Sequence, residues 1–240
     1  MKILITSGGT KIKIDRVRDI TNMSSGTFGS KIAEEYLKRN HNVVFMKAKG
    51  SKTPFSTTVD IFKTQQDAAK LNFLNWYDER SNLLSKYFEY EYTTYEQYAE
   101  MLKFVIGVEQ PDMILLAAAV SDYGVENYHN GKLRSNDMLS IKLCQLPKLI
   151  NRVKEWAPKA KLIGFKLLVD SKESELIEAA KRSIAENGCD MVVANDLRDI
   201  KDNNHKLYLV TKNNVTEAHS EAGQPNALAK MLVRYTLHQI

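Results

Sequence analysis

The sequence predicts an α/β fold with three layers, in which helices cover both faces of a doubly wound, mostly parallel sheet. Short apolar runs of strand length alternate with amphipathic stretches of helix length along the 240 residues. This alternation is typical of parallel sheets whose strands are buried between two layers of helices. The expected strands are residues 2–6, 42–48, 112–120, 161–165 and 190–195.

The segments between these strands carry signals for the starts and ends of helices. KIAEEYLKRN is amphipathic, and a small-residue turn leads into it. Thr93 and Glu96 have the spacing of a capping box in front of a helical apolar face. Asp170 is placed to cap a further helix, and Gly188 is placed to end it. These segments predict the helical layers of the fold.

Three regions depart from the alternation. Residues 206–219 predict a small additional β ribbon that turns at two adjacent asparagines. Residues 121–138 are polar and are expected to form a loop. Tyr and Phe residues crowd the segment 73–98, which favours a helical insertion around 70–95. The length suits one core, so residues 1–240 are expected to form a single domain.

Composition narrows the classes of function. Lys and Arg outnumber Asp and Glu by 34 to 29, and this mild, dispersed surplus fits an anionic small molecule rather than nucleic acid. No apolar run is long enough to cross a bilayer, so no membrane partner is expected. Cys144 and Cys189 have neither CxxC nor metal-ligand spacing, which predicts reduced, buried thiols. The expected location is therefore cytoplasmic.

Two small-residue turns suggest a phosphate site. Strand 2–6 ends in Ser7-Gly8-Gly9-Thr10, and the turn 24–29, SSGTFG, opens the first long helix. The start of a helix has unpaired N–H groups and a partial positive charge, which together attract phosphate. An ordinary helix cap with glycine spacers is the alternative. About a dozen residues separate the turns, so the tight GxGxxG dinucleotide fingerprint is missing.

Polar residues also follow the later strands, where doubly wound sheets bind ligands. Asp122, after the alanines of the central strand, either accepts hydrogen bonds from a ligand or caps a turn. Lys132 and Arg134 either reach a triphosphate or lie on a solvated loop. Phe165 offers an aromatic face for a base or belongs to the core, and Asn195 either lines the same edge or satisfies a turn.

Taken together, these motifs resemble the phosphopantothenate–cysteine ligase family. The resemblance is carried, in chain order, by TSGGT, DRVRDITNMSSGTFG, LAAAVSDY, GKLRS, VKEWAPKAKLIGFK and VANDL. It implies a Rossmann-like fold, a homodimer, and a reaction that joins 4′-phosphopantothenate to L-cysteine. The co-substrate would be CTP or ATP with Mg²⁺. No FMN is implied, because the flavin-dependent decarboxylase domain of many bacterial versions is not recognisable here.

The resemblance also implies roles for individual residues. Asn22 and Lys132 match catalytic positions, and Lys132 also lies where the family binds the triphosphate. Arg18 matches an arginine that reaches the neighbouring subunit's site. The remaining nucleotide positions are Gly8, Ser24, Gly26, Gly29, Phe165 and Asn195, and the positions of the phosphopantothenate site are Arg18, Asn22, Ala118, Ala119 and Asp122. No protein ligand for a metal is implied.

Some positions depart from the family pattern. Fused bacterial enzymes have two lysines where Ser183 and Asn187 stand here, and Lys181 and Arg182 are candidates to replace them. The choice between CTP and ATP therefore stays open. Two other classes share the fold: an NAD(P)-dependent oxidoreductase, and a non-catalytic nucleotide-binding module that would not need Asn22, Asp122 and Lys132 together.

Overall fold

The computed structural model describes residues 1–55, 81–134, 139–201, 206–220 and 226–240. The strands in these ranges are β1 (Lys2–Ser7), β2 (Lys11–Lys13), β3 (Asp19–Thr21), β4 (Asn42–Ala48), β5 (Tyr87–Tyr92), β6 (Met113–Leu116), β7 (Tyr123–Val125), β8 (Leu143–Gln145), β9 (Lys161–Leu168), β10 (Met191–Asp196), β11 (Lys206–Thr211) and β12 (Val215–His219). The helices are α1 (Thr27–Lys38), α2 (Tyr95–Glu109), α3 (Ile150–Trp156), α4 (Glu173–Asn187), α5 (Leu197–Lys201) and α6 (Ala227–Gln239).

The main sheet has eight strands in the order β12-β11-β10-β9-β6-β1-β4-β5. Its strands from β10 to β5 pair in parallel, whereas β11 and β12 are antiparallel additions. The chain leaves β1 toward β4 and β5 and later returns to β6 on the other side. The order therefore reverses between β1 and β6, where doubly wound folds place their ligands. The predicted fold class is confirmed.

Side chains of alternate β1 residues pack against opposite helical layers. Ile3 and Ile5 belong to the apolar cluster that includes α1 and α6, and Leu4 belongs to the cluster that includes α2 and α4. This follows from the two-residue period of a strand, which sends successive side chains to opposite faces. Both faces of β1 are thus buried, and the polar groups at its carboxyl end are left to form a site.

Two predicted helix starts are wrong by one or two residues. The cap of α2 is Thr94, whose hydroxyl accepts from Gln97 N, while the Gln97 side chain accepts from the N–H of Thr93. The cap of α4 is Lys172 instead of Asp170, because Asp170 adopts a left-handed conformation (φ 52°) and its carboxylate pairs with Arg198. The predicted stop at Gly188 is confirmed, with φ 65° at the C-cap.

The predicted ribbon at 206–219 is confirmed as the hairpin of β11 and β12, which extends the edge of the main sheet. Part of the predicted helical insertion around 70–95 is wrong. Residues 87–92 form β5, which pairs with β4, since their aromatic side chains favour strand structure. Residues 70–80 lie outside the described part of the chain. The predicted polar loop contains β7, which pairs with β8.

The two cysteines differ in exposure. Cys189 is buried as predicted, and burial raises the pKa of its thiol to about 12. Cys144 is exposed because it lies in β8, a strand of a two-stranded ribbon with an uncovered face, so that half of the prediction is wrong. Within the described ranges, none of the helices has the length and apolar character needed to cross a bilayer.

Candidate active site

The first glycine turn (residues 7–10) contacts the alanine segment (residues 117–119) at the carboxyl ends of β1 and β6. Ala119 N donates to Gly8 O at 2.8 Å, and Thr10 N donates to Ala119 O at 3.2 Å. Ala118 N donates to the hydroxyl of Thr6 at 3.3 Å. β6 ends at Leu116, short of the predicted residue 120, but the segment after it still runs beside the first glycine turn, since Ala119 forms a parallel bridge with Gly9. The hydrogen bonds also place Gly8, Ala118 and Ala119 side by side at the point of strand reversal.

Asn22 is bound to the same junction. Its amide Nδ2 donates to Ala119 O at 3.2 Å, and its backbone oxygen lies against Gly9, where an added Cβ would be 2.5 Å away. The Asn22 amide is thus directed by a backbone carbonyl of the alanine segment, while the residue itself is exposed. Two residues predicted to act on the substrate, Asn22 and Ala119, are therefore in contact.

A further residue at the junction, Thr10, received no role from sequence reasoning. It is fully buried, its hydroxyl accepts from Ser121 N at 3.0 Å, and its carbonyl accepts from the Thr21 hydroxyl at 3.2 Å. Thr10 therefore ties the first glycine turn to both the β3 end and the segment that leads to Asp122. The position of Thr10 directly after two glycines was the feature of the sequence that could have indicated this role.

The second glycine turn packs on the end of β1. The Ser7 hydroxyl donates to Gly26 O at 3.1 Å, and Gly26 caps α1 with φ 74°. A Cβ on Gly29 would lie 2.4 Å from Ser7 Oγ, and one on Gly26 would lie 3.0 Å from the same atom. Close packing of the backbone against Ser7 explains why both positions are glycine. Contact of this turn with phosphate stays a prediction.

A cleft of about 280 Å³ opens between these turns and the segment after β4. Asn22, Ser24 and the backbone of Gly9 form one wall. Lys49 and Lys11 add two ammonium groups, of which that of Lys11 pairs with Asp19 at 3.5 Å. The remaining lining residues are Thr21, Met23, Ala48, Gly50 and Ser51. The combination of hydroxyls, an amide and two ammonium groups suits an anionic ligand.

Asp122 lies at the exposed end of the alanine segment. Its backbone oxygen accepts from Leu146 N at 2.9 Å. Its carboxylate accepts no hydrogen bond from any residue in the described part of the chain, whereas Ser121 makes the local turn through its hydroxyl. The Asp122 side chain therefore does not cap the local turn. An exposed carboxylate with open acceptor sites remains available to a ligand.

Lys132 lies on a loop that is fastened to the segment before β3. Gly131 O accepts from Arg16 N at 3.0 Å, and Leu133 N donates to the carboxylate of Asp15 at 3.1 Å. Lys132 itself is exposed and makes no ion pair with the residues for which the structure gives positions. Its backbone is thus held on both sides while its ammonium group is free.

Arg18 is held by its own chain. Its Nε and Nη2 donate to Asp15 Oδ2 at 3.0 and 2.6 Å, and Nη2 also donates to Leu133 O at 2.8 Å. Burial alone would raise the pKa of the Asp15 carboxyl, but the donors from Arg18, Val17 and Leu133 hold it well below its usual range. The Arg18 guanidinium is therefore fixed by an ion pair and hydrogen bonds and is not a freely solvated surface cation.

The aromatic ring of Phe165 lies beside the second glycine turn. It makes an edge-to-face contact with Phe28 of α1, with ring centroids 6.2 Å apart. Both rings are only partly buried. Phe165 is thus placed between core and rim, and its remaining surface is available to a base.

Asn195 lies near the end of β10, next to a strongly anchored carboxylate. The buried Asp196 accepts from the backbone and hydroxyl of Ser171, and from the backbone and Nε of Arg198. Burial opposes ionisation of Asp196, but these donors hold its pKa well below the usual range. The carboxyl end of β10, which includes Asn195, is therefore joined by hydrogen bonds to the loop after β9.

The positions that depart from the family pattern lie away from this end of the sheet. Helix α4 starts after the carboxyl end of β9 and runs back toward the start of β10, and at 1.5 Å per residue Lys181 is roughly 12 Å from Glu173. Asn187, at the far end, donates to the backbone and hydroxyl of Ser183. Ser183 and Asn187 therefore hydrogen-bond to each other, near the amino ends of the strands and away from the site.

Comparisons with known proteins match nearly the whole chain. The family model described as the DNA/pantothenate metabolism flavoprotein C-terminal domain matches residues 1–72 and 84–239. The chain is 33% identical over 209 residues to the coenzyme A biosynthesis bifunctional protein CoaBC of Thermococcus kodakarensis, covering 87% of this chain and 44% of that protein. It is 31% identical over 246 residues to phosphopantothenate–cysteine ligase 2 of Oryza sativa subsp. japonica, covering 89% of this chain and 72% of that one.

A solved structure agrees with this match along the whole chain. The crystal structure of the DNA/pantothenate metabolism flavoprotein from Streptococcus pneumoniae has a TM-score of 0.78 at 28% identity, over 99% of this chain and 98% of that chain. The chain spans about half the length of the bifunctional relatives, 44% and 45% of two of them. The matched residues include both glycine turns and the alanine segment. The chain thus belongs to the family of the DNA/pantothenate metabolism flavoprotein C-terminal domain.

Proposed function

We propose that the chain is a phosphopantothenate–cysteine ligase, which joins 4′-phosphopantothenate to L-cysteine in coenzyme A biosynthesis. The observation that carries the proposal is the contact between the Asn22 amide and Ala119 O at the point of strand reversal. This contact joins two of the residues expected to hold the substrate. The family membership and the relatives named as ligases support the same reaction.

The reaction has two steps, and each assigns work to residues of the site. In the first, a carboxylate oxygen of phosphopantothenate attacks the α-phosphorus of the nucleotide, and pyrophosphate leaves. In the second, the cysteine amine attacks the acyl carbon, the bond to the nucleotide oxygen breaks, and the nucleoside monophosphate and a proton are released. Lys132 stabilises the charge on the departing pyrophosphate, and Asn22 orients the activated acyl group.

The nucleotide is CTP or ATP, bound with its base near Phe165 and its phosphates near the second glycine turn. Among the residues with described positions, no three His, Cys, Asp or Glu side chains converge as a metal site. Mg²⁺ commonly binds through substrate phosphates and one or two carboxylates. The ion is therefore proposed to enter with the triphosphate as part of the substrate.

The proposed assembly is a homodimer that uses the two small ribbons. Ile20 of β3, Tyr123 of β7 and Leu143 of β8 expose 38%, 56% and 47% of their surface. The two ribbons contact one another through β2 and β7, next to the Lys132 loop. In Arg18 the nitrogen Nη1 makes no hydrogen bond to the described residues, which supports its proposed use by the neighbouring subunit's site.

The homodimer can be tested by charge on the ribbon surface. We expect the wild-type chain to sediment as a dimer and Ile20→Asp/Leu143→Asp to sediment as a monomer with little activity, because the two carboxylates would be buried unpaired. Phe104→Asp is the matched control, since Phe104 is 59% exposed on α2. A dimer that survives the double change would exclude the ribbons as the interface.

The ligase reaction can be tested with purified protein. We expect pyrophosphate release and phosphopantothenoylcysteine formation when phosphopantothenate, cysteine, Mg²⁺ and one of CTP or ATP are present together. Omitting cysteine should still allow the acyl-nucleotide to form, and mass spectrometry detects it. A parallel incubation that follows the oxidation of NADH or NADPH tests the oxidoreductase alternative. Lack of pyrophosphate release with every nucleotide would sink the proposal.

A further inference from the structure

Asp15 is the most completely buried carboxylate near the site, and the reaction as proposed gives it no role. Its side chain has 0% exposure. Oδ1 accepts from the N–H groups of Val17 and Arg18, both at 2.8 Å. Oδ2 accepts from Arg18 Nε and Nη2 and from Leu133 N. Five donors on one buried carboxylate satisfy it fully, as an ionised group without water requires.

These bonds join two segments that are far apart in the sequence. Leu133 contributes both its N–H to Asp15 and its carbonyl to Arg18 Nη2. Beside them, Arg16 donates through its backbone to Gly131 O and through Nε to Asn130 Oδ1, each at 3.0 Å. The backbone on both sides of Lys132 is thus anchored to the segment that begins at Asp15.

The same carboxylate sets the direction of the Arg18 guanidinium. With Nε and Nη2 occupied by Asp15, the planar group has one orientation, and Nη1 is the nitrogen left over. A guanidinium is rigid, so fixing two nitrogens fixes the third. Removing the carboxylate would release Arg18 and the Leu133 N–H together.

We propose that Asp15 is a positioning residue that joins the Lys132 loop to Arg18, so that both cations are held ready for anionic substrates. The catalytic consequence rests on the proposed ligase function, whereas the link between the two segments does not. Asp15 acts through its neighbours and touches no reacting atom. Its loss should lower kcat more than it raises the nucleotide KM, since Lys132 acts on charge that develops during activation.

The test uses Asp15→Asn in the full chain, because asparagine keeps the size but presents an N–H₂ group toward the donors. We expect trypsin to cut after Lys132 and Arg134 at least about tenfold faster, through local opening of the loop. Cutting after Lys159, in an exposed turn, should not change. In the ligase assay kcat should fall by about 10²-fold, as for a misplaced catalytic group.

Glu155→Gln is the matched control, since Arg152 and Glu155 form a carboxylate–arginine pair at the same spacing but with both side chains 56% exposed. It should alter neither cutting nor kcat. If Asp15→Asn does not fold, Leu133→Pro decides through cutting after Arg134 and through kcat, because it removes the N–H that donates to Asp15 and because trypsin does not cut a Lys–Pro bond.

Faster cutting confined to the loop, together with reduced kcat, supports the proposal. Unchanged cutting after Lys132, or equal acceleration at every trypsin site, overturns it, since the first shows no link and the second only general destabilisation. The two proposals fail separately. A wild-type protein without ligase activity would refute the function, and the trypsin experiment would still decide whether Asp15 holds the loop.

Discussion

Lys132→Gln should slow acyl-nucleotide formation by about 10²-fold or more, the scale of losing one preorganised electrostatic stabiliser. Pyrophosphate departure gathers negative charge on the leaving group, and a neutral amide cannot offset it as an ammonium group does. The fold should be unaffected because Lys132 is exposed and its neighbours Gly131 and Leu133 hold the loop through backbone groups. Single-turnover pyrophosphate release without cysteine measures this step.

The control for this change is Lys159→Gln, which removes one positive charge from an exposed turn just before the start of β9. It should leave the activation rate within the error of the wild type. Near-normal activation by Lys132→Gln would mean that this ammonium group is only solvated. Arg134, on the same loop, would then be the first cation to replace, because Lys181 lies midway along α4 and away from the strand ends.

The central strands of the main sheet were predictable because they are largely buried on both faces, so each appears as an apolar run; they are β1, β4, β6, β9 and β10. Where burial is one-sided or slight, the signal fails. The segments of β2 and β3 are three residues each, with every residue of β3 exposed. Aromatic residues of β5 were assigned to a helical insertion, since crowded aromatics do not themselves distinguish an edge strand from a small separate core.

The site was predictable in its location more than in its internal contacts. Gly26 and Gly29 were selected as nucleotide positions, whereas the contact that the structure shows is their packing on Ser7, about twenty residues away. The contacts of Asn22 with Ala119 and of Asp15 with Leu133 span 97 and 118 residues. No local pattern encodes such pairs. Asp15 was missed because an aspartate among polar residues normally indicates solvent exposure.

Asn22→Asp should allow activation but slow the attack of cysteine, so that acyl-nucleotide accumulates while product formation falls by about 10²-fold. In the structure the Asn22 amide donates to Ala119 O, and a carboxylate can only repel that oxygen. The aspartate would therefore turn away from Ala119 and place a negative charge beside the activated acyl group. The acyl group would lose its orientation toward the cysteine amine.

Quenched-flow sampling with mass spectrometry distinguishes the two steps for Asn22→Asp. The acyl-nucleotide signal should rise above that of the wild type when cysteine is present, and phosphopantothenoylcysteine should appear slowly. Asn213→Asp, in the exposed β11–β12 turn, makes the same chemical change far from the cleft and should behave as wild type. If both steps slow equally in Asn22→Asp, Asn22 serves to bind phosphopantothenate and has no separate part in the transfer to cysteine, because uniform loss indicates an interaction made throughout the reaction.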